Sequence, residues 1–242
     1  MENIYIEKAV RMNRDVRFFC PNPNCNAALY VCSRNGSKRP YFAANRPGKR
    51  HIEGGCMYSC DIKFDPNNTD EGSFKFQNAI EKLFVTSIER AKANQLSAIR
   101  DKIEGNKKPL RTLRQIYDMC RSYHAKDCYA GVEIWRMILD DRTVKFYTKG
   151  CFGYHLVAGK IDTVYYDANK LSVNVYVIIG INKYNICLRF KETKLFKFVR
   201  DEVYNNKGNY MIVASYWKSA NLYSMNGEIN TKKQILVIKN KR

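Results

Sequence analysis

LSVNVYV at residues 171–177, with YNICLRFK at 184–191 behind it, decides the fold of this chain. In the first run Leu171, Val173, Val175 and Val177 alternate with Ser172, Asn174 and Tyr176; in the second, Tyr184, Ile186, Leu188 and Phe190 alternate with Asn185, Cys187, Arg189 and Lys191. A period of two sends successive side chains to opposite faces, so each run reads as a strand with one apolar and one polar face. Strand-like texture begins upstream near Val157, and the turn-forming DANK at 167–170 separates it from the first run. Downstream come a helical interval over 193–204, a strand near 210–217 entered through Gly208, and a strand near 234–239. No internal repeat or low-complexity tract interrupts the series.

Three strands, a helix and two strands form an order that resembles the OB-fold, a small five-stranded barrel that binds oligonucleotides. The resemblance implies an OB-like β-barrel at 156–242, while the texture of the chain upstream separates a small Cys-punctuated module at 1–72, read below as zinc-bound, from a helical region at 73–155, for an α+β protein overall. Alternation then assigns Leu171, Val173, Val175, Ile186 and Leu188 to the interior. It leaves Lys160, Tyr176, Arg189, Lys191, Trp217 and Lys218 for an outward nucleic-acid-binding face, where aromatics stack on bases and cations follow phosphates. Packing against a helix is the competing role for Tyr176 and Trp217.

That helix is read from Phe76, Ile80, Leu83, Phe84, Ile88, Ala91, Leu96, Ile99 and Ile103, a three-and-four spacing that draws one apolar stripe over 73–104. Ser73 is the expected N-cap and Gly105, Asn106 and Pro109 the stop, which gives a rod roughly 45 Å long if unbroken. Such a rod offers a surface for a protein partner or for a homodimer. Leu110, Leu113, Ile116, Tyr117 and Cys120 mark a shorter helix whose outer face is expected to carry Arg111, Arg114 and Arg121.

Upstream of the helices the chain is punctuated by Cys, Gly, Pro and Asn. CPNPNC at 20–25 puts Cys20 and Cys25 on a tight turn, and HIEGGC at 51–56 brings His51 and Cys56 after a glycine pair that permits a sharp return. Four such ligands from two knuckles suit a closed tetrahedral zinc site, which is structural because catalytic zinc keeps a position open. Cys60 is the substitute for His51 or Cys56, and Cys32, inside a strand-like run, reads as a packing residue. Cys20 and Cys25, the strand-like 29–32, KRPYFA at 38–43, and His51 with Cys56 together resemble the N-terminal zinc-finger-like module of the competence protein CoiA-like family. That family brackets the Phe of this strand with histidines; here Tyr41, Phe42, Ala43 and Ala44 stand there, so the histidine ligand falls to His51.

CoiA-like proteins are similar to restriction-type nucleases of the PD-(D/E)xK kind, which implies a second reading for the C-terminal half. Phosphodiester hydrolysis of that type needs carboxylates that hold Mg²⁺ and a lysine beside the attacking water. Asp162, Glu192 and Lys194 are the candidates, with Mg²⁺ as the cofactor of this reading alone. Glu192 falls where the third strand ends, and Asn174 and Tyr176 occupy the middle strand where an acid and a lysine are wanted. His124 and His155 have no nucleophile motif around them, and phosphate-binding glycine loops are absent.

Charge decides among partners. The net charge is +19, and residues 156–242 hold 15 Lys and Arg against 6 Asp and Glu. Such a field favours a polyanion, because each phosphate neutralised releases counterions. The cations are spread along the chain and share no amphipathic helix, which argues against a membrane surface. The charged N-terminal residues contain no export signal, so a cytoplasmic, thiol-reducing location is expected, where the nine cysteines read as ligands and packing residues. The function expected is binding of nucleic acid, single-stranded DNA or RNA first, with the nuclease as an alternative and a protein-interaction adaptor of a mobile-element or defence system as another. Zinc removal by a chelator should unfold residues 1–72 and leave the barrel standing, and limited proteolysis reads this directly: unchanged resistance of the N-terminal part would contradict it.

Overall fold

The computed structural model describes residues 6–20, 27–35, 40–44, 64–66, 68–85 and 109–239. At the N-terminal side, helix α1 (Ile6–Arg11) precedes an antiparallel sheet of β1 (Phe18–Phe19), β2 (Ala28–Cys32) and β3 (Tyr41–Ala43), in that order. The sheet is held by Phe18 edge-on to Phe42, ring centroids 5.3 Å apart. Arg34 donates to the Met12 carbonyl at 2.6 Å, which satisfies an acceptor left over just beyond the end of α1.

Helix α2 (Phe76–Phe84) is shorter than its apolar stripe suggests. It starts with Lys75 at the N-cap, not Ser73, and Val85 is already extended, with φ −85° and ψ 130°. The end of α2 finds partners outside the helix: Thr231 donates its hydroxyl to the Leu83 carbonyl, and Phe84 packs on Tyr154. The remainder of the expected rod, 86–104, lies outside the described residues. Helix α3 (Leu113–Ser122) is nucleated by a reciprocal box in which Thr112 accepts from the Gln115 backbone and Gln115 accepts from the Thr112 backbone. Short strands β4 (Cys128–Tyr129) and β5 (Val132–Glu133) form a hairpin, and β6 (Ile138–Leu139) runs parallel to the strand that follows.

That strand, β7 (Gly153–Asp167), begins a closed barrel with β8 (Ser172–Ile179), β9 (Asn182–Phe190), β10 (Tyr210–Asn221) and β11 (Ser224–Ile229). Around the barrel β7 pairs with β8, β8 with β9, β9 in parallel with β11, β11 with β10, and β10 with β7. Helix α4 (Thr193–Asn205) lies between β9 and β10 in sequence and closes one end with Leu195, Phe196, Val199 and Val203. At the other end Val144 lies against Gly180 of the β8–β9 turn, and Leu139, Tyr147 and Cys151 join the same core.

The fifth barrel strand is therefore Ser224–Ile229, not the expected 234–239. Gly227 breaks its alternation, leaving Met225 and Ile229 as the inward apolar side chains. The more strongly apolar segment is β12 (Ile235–Ile238), which pairs with the first half of β10 outside the barrel. Gly227 is required where it stands: a Cβ there would lie 2.8 Å from Trp217 Cζ3 and 2.7 Å from Ser215 Oγ.

One outer side of the barrel is covered. Ile80 and Leu83 of α2 and Ile116 and Tyr117 of α3 share a second core with Leu156 and Ala158 of β7 and with Ile212 and Ala214 of β10. Among the described residues no helix is long and apolar enough to cross a membrane.

The helical layer is joined to the barrel by a buried ionic cluster. Arg121, expected on an outer helix face, is 2% exposed at its side chain and bonds Asp140 at 3.2 Å and Asp141 at 3.0 Å. Its place is inward because Asp140, wholly buried, also receives Arg142 at 2.7 Å, while Arg142 donates to the Cys120 and Tyr123 carbonyls at the end of α3. Burial opposes ionisation of Asp140, but Arg142 and Arg121 outweigh it and hold its carboxyl at about 2. The folded value lies below the unfolded one, so this stabilisation is complete above about pH 4 and is lost as pH falls through about 2. Arg121→Ala or Asp140→Asn removes one member of a buried ionic cluster and should lower unfolding free energy by about 3 kcal/mol in urea titrations at pH 7. The Asp140→Asn loss should shrink as pH is lowered toward 2; a loss independent of pH would overturn the assignment.

Candidate nucleic-acid interface

Strand register builds the open side of the barrel. Residues directly opposite in paired strands share a face, so Thr163, Tyr176, Asn185 and Ser224 form one outward row across β7, β8, β9 and β11. The next row is Tyr165, Asn174, Cys187, Asn226 and, on β10, Lys218. Beyond it stand Asp167, Ser172, Arg189 and Glu228, and on the opposite side Ile178 lies between Lys160 and Lys183. The surface is thus aromatic and amide-bearing at its centre and charged at its margins.

A groove of about 590 Å³ opens on this face between Tyr176, Lys183 and Asn185 on one side and Asn221, Leu222, Tyr223 and Ser224 of the β10–β11 turn on the other. The turn is held down by the Asn185 backbone N–H, which donates to the Tyr223 carbonyl at 2.8 Å, and by Tyr223 edge-on to Tyr184, centroids 5.4 Å apart. Burial pushes the Tyr184 phenol up to about 12, so it is neutral at pH 7. Tyr165 meets Tyr176 edge-on at 5.9 Å, and Lys183 Nζ sits 5.1 Å over the Tyr176 ring. The Asn185 side-chain carbonyl is buried with no hydrogen-bond partner among the described residues, a state that costs about 1–3 kcal/mol until a donor arrives.

Asp162 occupies a bulge where the β7–β8 register shifts between Ile161 and Thr163. Its carboxylate pairs with Lys183 at 2.6 Å, and hydrogen bonds from Lys183 and Thr163 lower its pKa while the same pair raises that of Lys183. Both groups are solvent-exposed, so the pair is screened and exchangeable.

Of the residues expected on the binding face, Tyr176, Arg189 and Lys218 stand in the outward rows. Lys160 is exposed at one margin, and Lys191 at another is 3.6 Å from Glu228. Trp217 does not belong there. It is fully buried in the barrel core, the indole N–H donating to the His155 carbonyl at 2.9 Å, because the absent side chain of Gly227 makes room for the ring inside. Sequence reading missed Tyr165, Lys183, Asn174, Asn226 and Tyr223; the period-two pattern carried Lys183 and Asn174, and the grouping of all five needs the register. His155 sits edge-on to Tyr147 at 5.5 Å, and burial lowers its pKa and that of His124.

Cys20 is buried with Ala27 and Ala44 against the partly buried Leu29, and its backbone N–H donates to the Ala27 carbonyl at 2.9 Å. Cys25, His51, Cys56 and Cys60 lie outside the described residues. Among the described residues no group of three or more His, Cys, Asp and Glu gathers as for a metal ion.

No family model and no curated protein matches the chain. Among solved structures, a structure of RecG bound to a three-way DNA junction superposes with a TM-score of 0.29 at 13% sequence identity, covering 77% of this chain and 20% of that chain.

The nuclease candidates are not brought together. Asp162 lies level with residues 176–177 of β8, whereas Glu192 follows β9 and is level with about residue 169, a separation on the order of 25 Å at about 3.3 Å per residue. Lys194, in the first turn of α4, is on the Glu192 side. Mg²⁺ or Mn²⁺ is accordingly expected to leave labelled oligonucleotides intact on a denaturing gel. Metal-dependent cleavage abolished by Asp162→Asn or Glu192→Gln would reverse this reading.

Proposed function

We propose that the chain binds single-stranded nucleic acid across the open face of an OB-type barrel, with its N-terminal module built on a structural zinc held by Cys20, Cys25, His51 and Cys56. The observation that carries the reading is the groove in which the unpartnered Asn185 carbonyl lies beside Tyr176, Tyr223 and Lys183. A base edge supplies the missing donor, tyrosine rings supply stacking surfaces, and exposed cations meet phosphates. The barrel's pairing order, with a helix between the third and fourth strands, supports the same reading, since OB-folds bind oligonucleotides on the second and third strands and on the loops beside them. Splayed bases of a single strand enter such a groove; a stacked, paired duplex presents none.

The Asp162–Lys183 pair sets the strength of binding. A phosphate must draw Lys183 from Asp162, so the carboxylate acts as a competitor already on the face.

Titration of labelled single- and double-stranded oligonucleotides at two salt concentrations tests this. Single strands should bind more tightly than duplex, and Tyr176→Ala with Tyr223→Ala should weaken them about tenfold or more, from roughly 1–3 kcal/mol per stacked base. Asp162→Asn should strengthen binding and steepen its salt dependence by about 0.7. Equal affinity for both forms, or no effect of the tyrosine substitutions, would sink the reading.

A further inference from the structure

Helix α4 does more than close the barrel. Its inward side chains, Leu195, Phe196, Val199 and Val203, account for one face. The other face carries Lys194, Lys197, Phe198 and Tyr204, all exposed, with Phe198 40% and Tyr204 51% accessible. Each aromatic ring is covered by a lysine from outside the helix: Lys232 Nζ lies 3.9 Å from the Phe198 centroid and Lys207 Nζ 4.0 Å from that of Tyr204.

Of the acids on the helix and at its N-cap, Asp201 and Glu202 are already engaged, and Glu192 stands exposed at the N-cap. Arg200 holds Asp201 at 2.8 Å and Lys239 holds Glu202 at 3.0 Å. Lys194, Lys197, Lys207, Lys232 and Lys233 make no ion pair among the described residues. The result is a patch in which five lysines outnumber the single acid Glu192, with two aromatics, set on a rigid helix and complementary to a polyanion.

The patch continues from the barrel face. Tyr166, 51% exposed, follows Tyr165 on β7, and the Arg200 guanidinium of α4 lies 5.2 Å over its ring. From Asn185 in the groove, β9 runs past Arg189 to the start of α4 at Thr193, roughly 25 Å at about 3.3 Å per residue. Roughly seven stacked nucleotides at about 3.4 Å each span that distance.

We propose that the outer face of α4, with Lys232 and Lys233, is a second contact surface that takes up the phosphate backbone of the same nucleic acid where it leaves the barrel face past Arg200. The proposal rests on the barrel-face reading and adds to it a length requirement: an oligonucleotide confined to the groove does not reach α4, and a longer one does.

The test compares single strands of about 5 and about 15 nucleotides, within the range of OB-fold site sizes, bound to the full chain and to the variant Lys194→Ala/Lys197→Ala/Lys232→Ala. These exposed side chains leave the core untouched, so the thermal midpoint should move only by the small loss of the Lys232–Phe198 contact. Affinity for the longer strand should fall at least tenfold and its log–log salt slope should become shallower by about 2, at about 0.7 per phosphate contact, while the shorter strand is unaffected. An unchanged slope on the longer strand, or an equal loss on both lengths, overturns the proposal. Tyr176→Ala, measured in parallel, separates the two ideas: weakening of both lengths keeps the barrel face whichever way the lysine variant falls, and no weakening of either removes the barrel face and this extension with it.

Discussion

Closure of the barrel between β7 and β10 is the constraint on which the rest depends. Eight consecutive residues of β7, Gly153 to Lys160, pair with Trp217 to Tyr210 of β10, and the same strand then pairs with β8 through Asp167. The two pairings occupy successive halves of the strand and overlap at Lys160. Gly159 permits the close approach of β8, since a Cβ there would lie 2.8 Å from Ile179 Cγ1 and 2.9 Å from the Ile178 carbonyl oxygen, and the bulge at Asp162 bends the strand. Without that close approach the sheet stays open, the valine-rich interior is wetted, and the outward rows lose their alignment.

Closure also decides which outer surface remains available. The helical layer covers β7 and β10 near their pairing, so Leu156, Val157, Ala158 and Gly159 are all buried and that part of β7 is enclosed on both faces. The opposite side, over β8, β9 and β11, keeps its polar rows in water. Two ionic groups mark the difference. Around Asp140 the Arg121 guanidinium is desolvated, the carboxylate accepts from Arg121, from Arg142 and from the Arg142 and Thr143 backbone N–H groups, and the cluster holds the helical layer in place. Between Asp162 and Lys183 the same chemistry is exposed, weak and available for exchange with a ligand.

The aromatic residues divide in the same manner. Trp217 and Tyr184 face inward and fill the barrel, whereas Tyr165, Tyr176 and Tyr223 face outward or lie across its rim. Inward rings stabilise by removing apolar surface from water. Outward ones keep a π-face and a hydroxyl for a partner, and the cations around them set the sign of that partner.

By itself the sequence determined the alternating strands, the helical interval before β10, the interior valines and leucines and the positive field, because each follows from local periodicity or from a sum over residues. It also marked Tyr176, Arg189 and Lys218 as outward. Only the tertiary structure decided that Trp217 is inside, since the room for it comes from Gly227 on another strand. The same holds for Ser224–Ile229, which closes the barrel through pairing with β9 and β10 although its own pattern is weak, and for Arg121, whose partners Asp140 and Asp141 arrive from a segment beyond the helix. Burial on two faces erased the period of two in β7 and β10, and the grouping of Tyr165, Lys183 and Asn185 around one groove arose from strand register, a relation between distant segments that no local window contains.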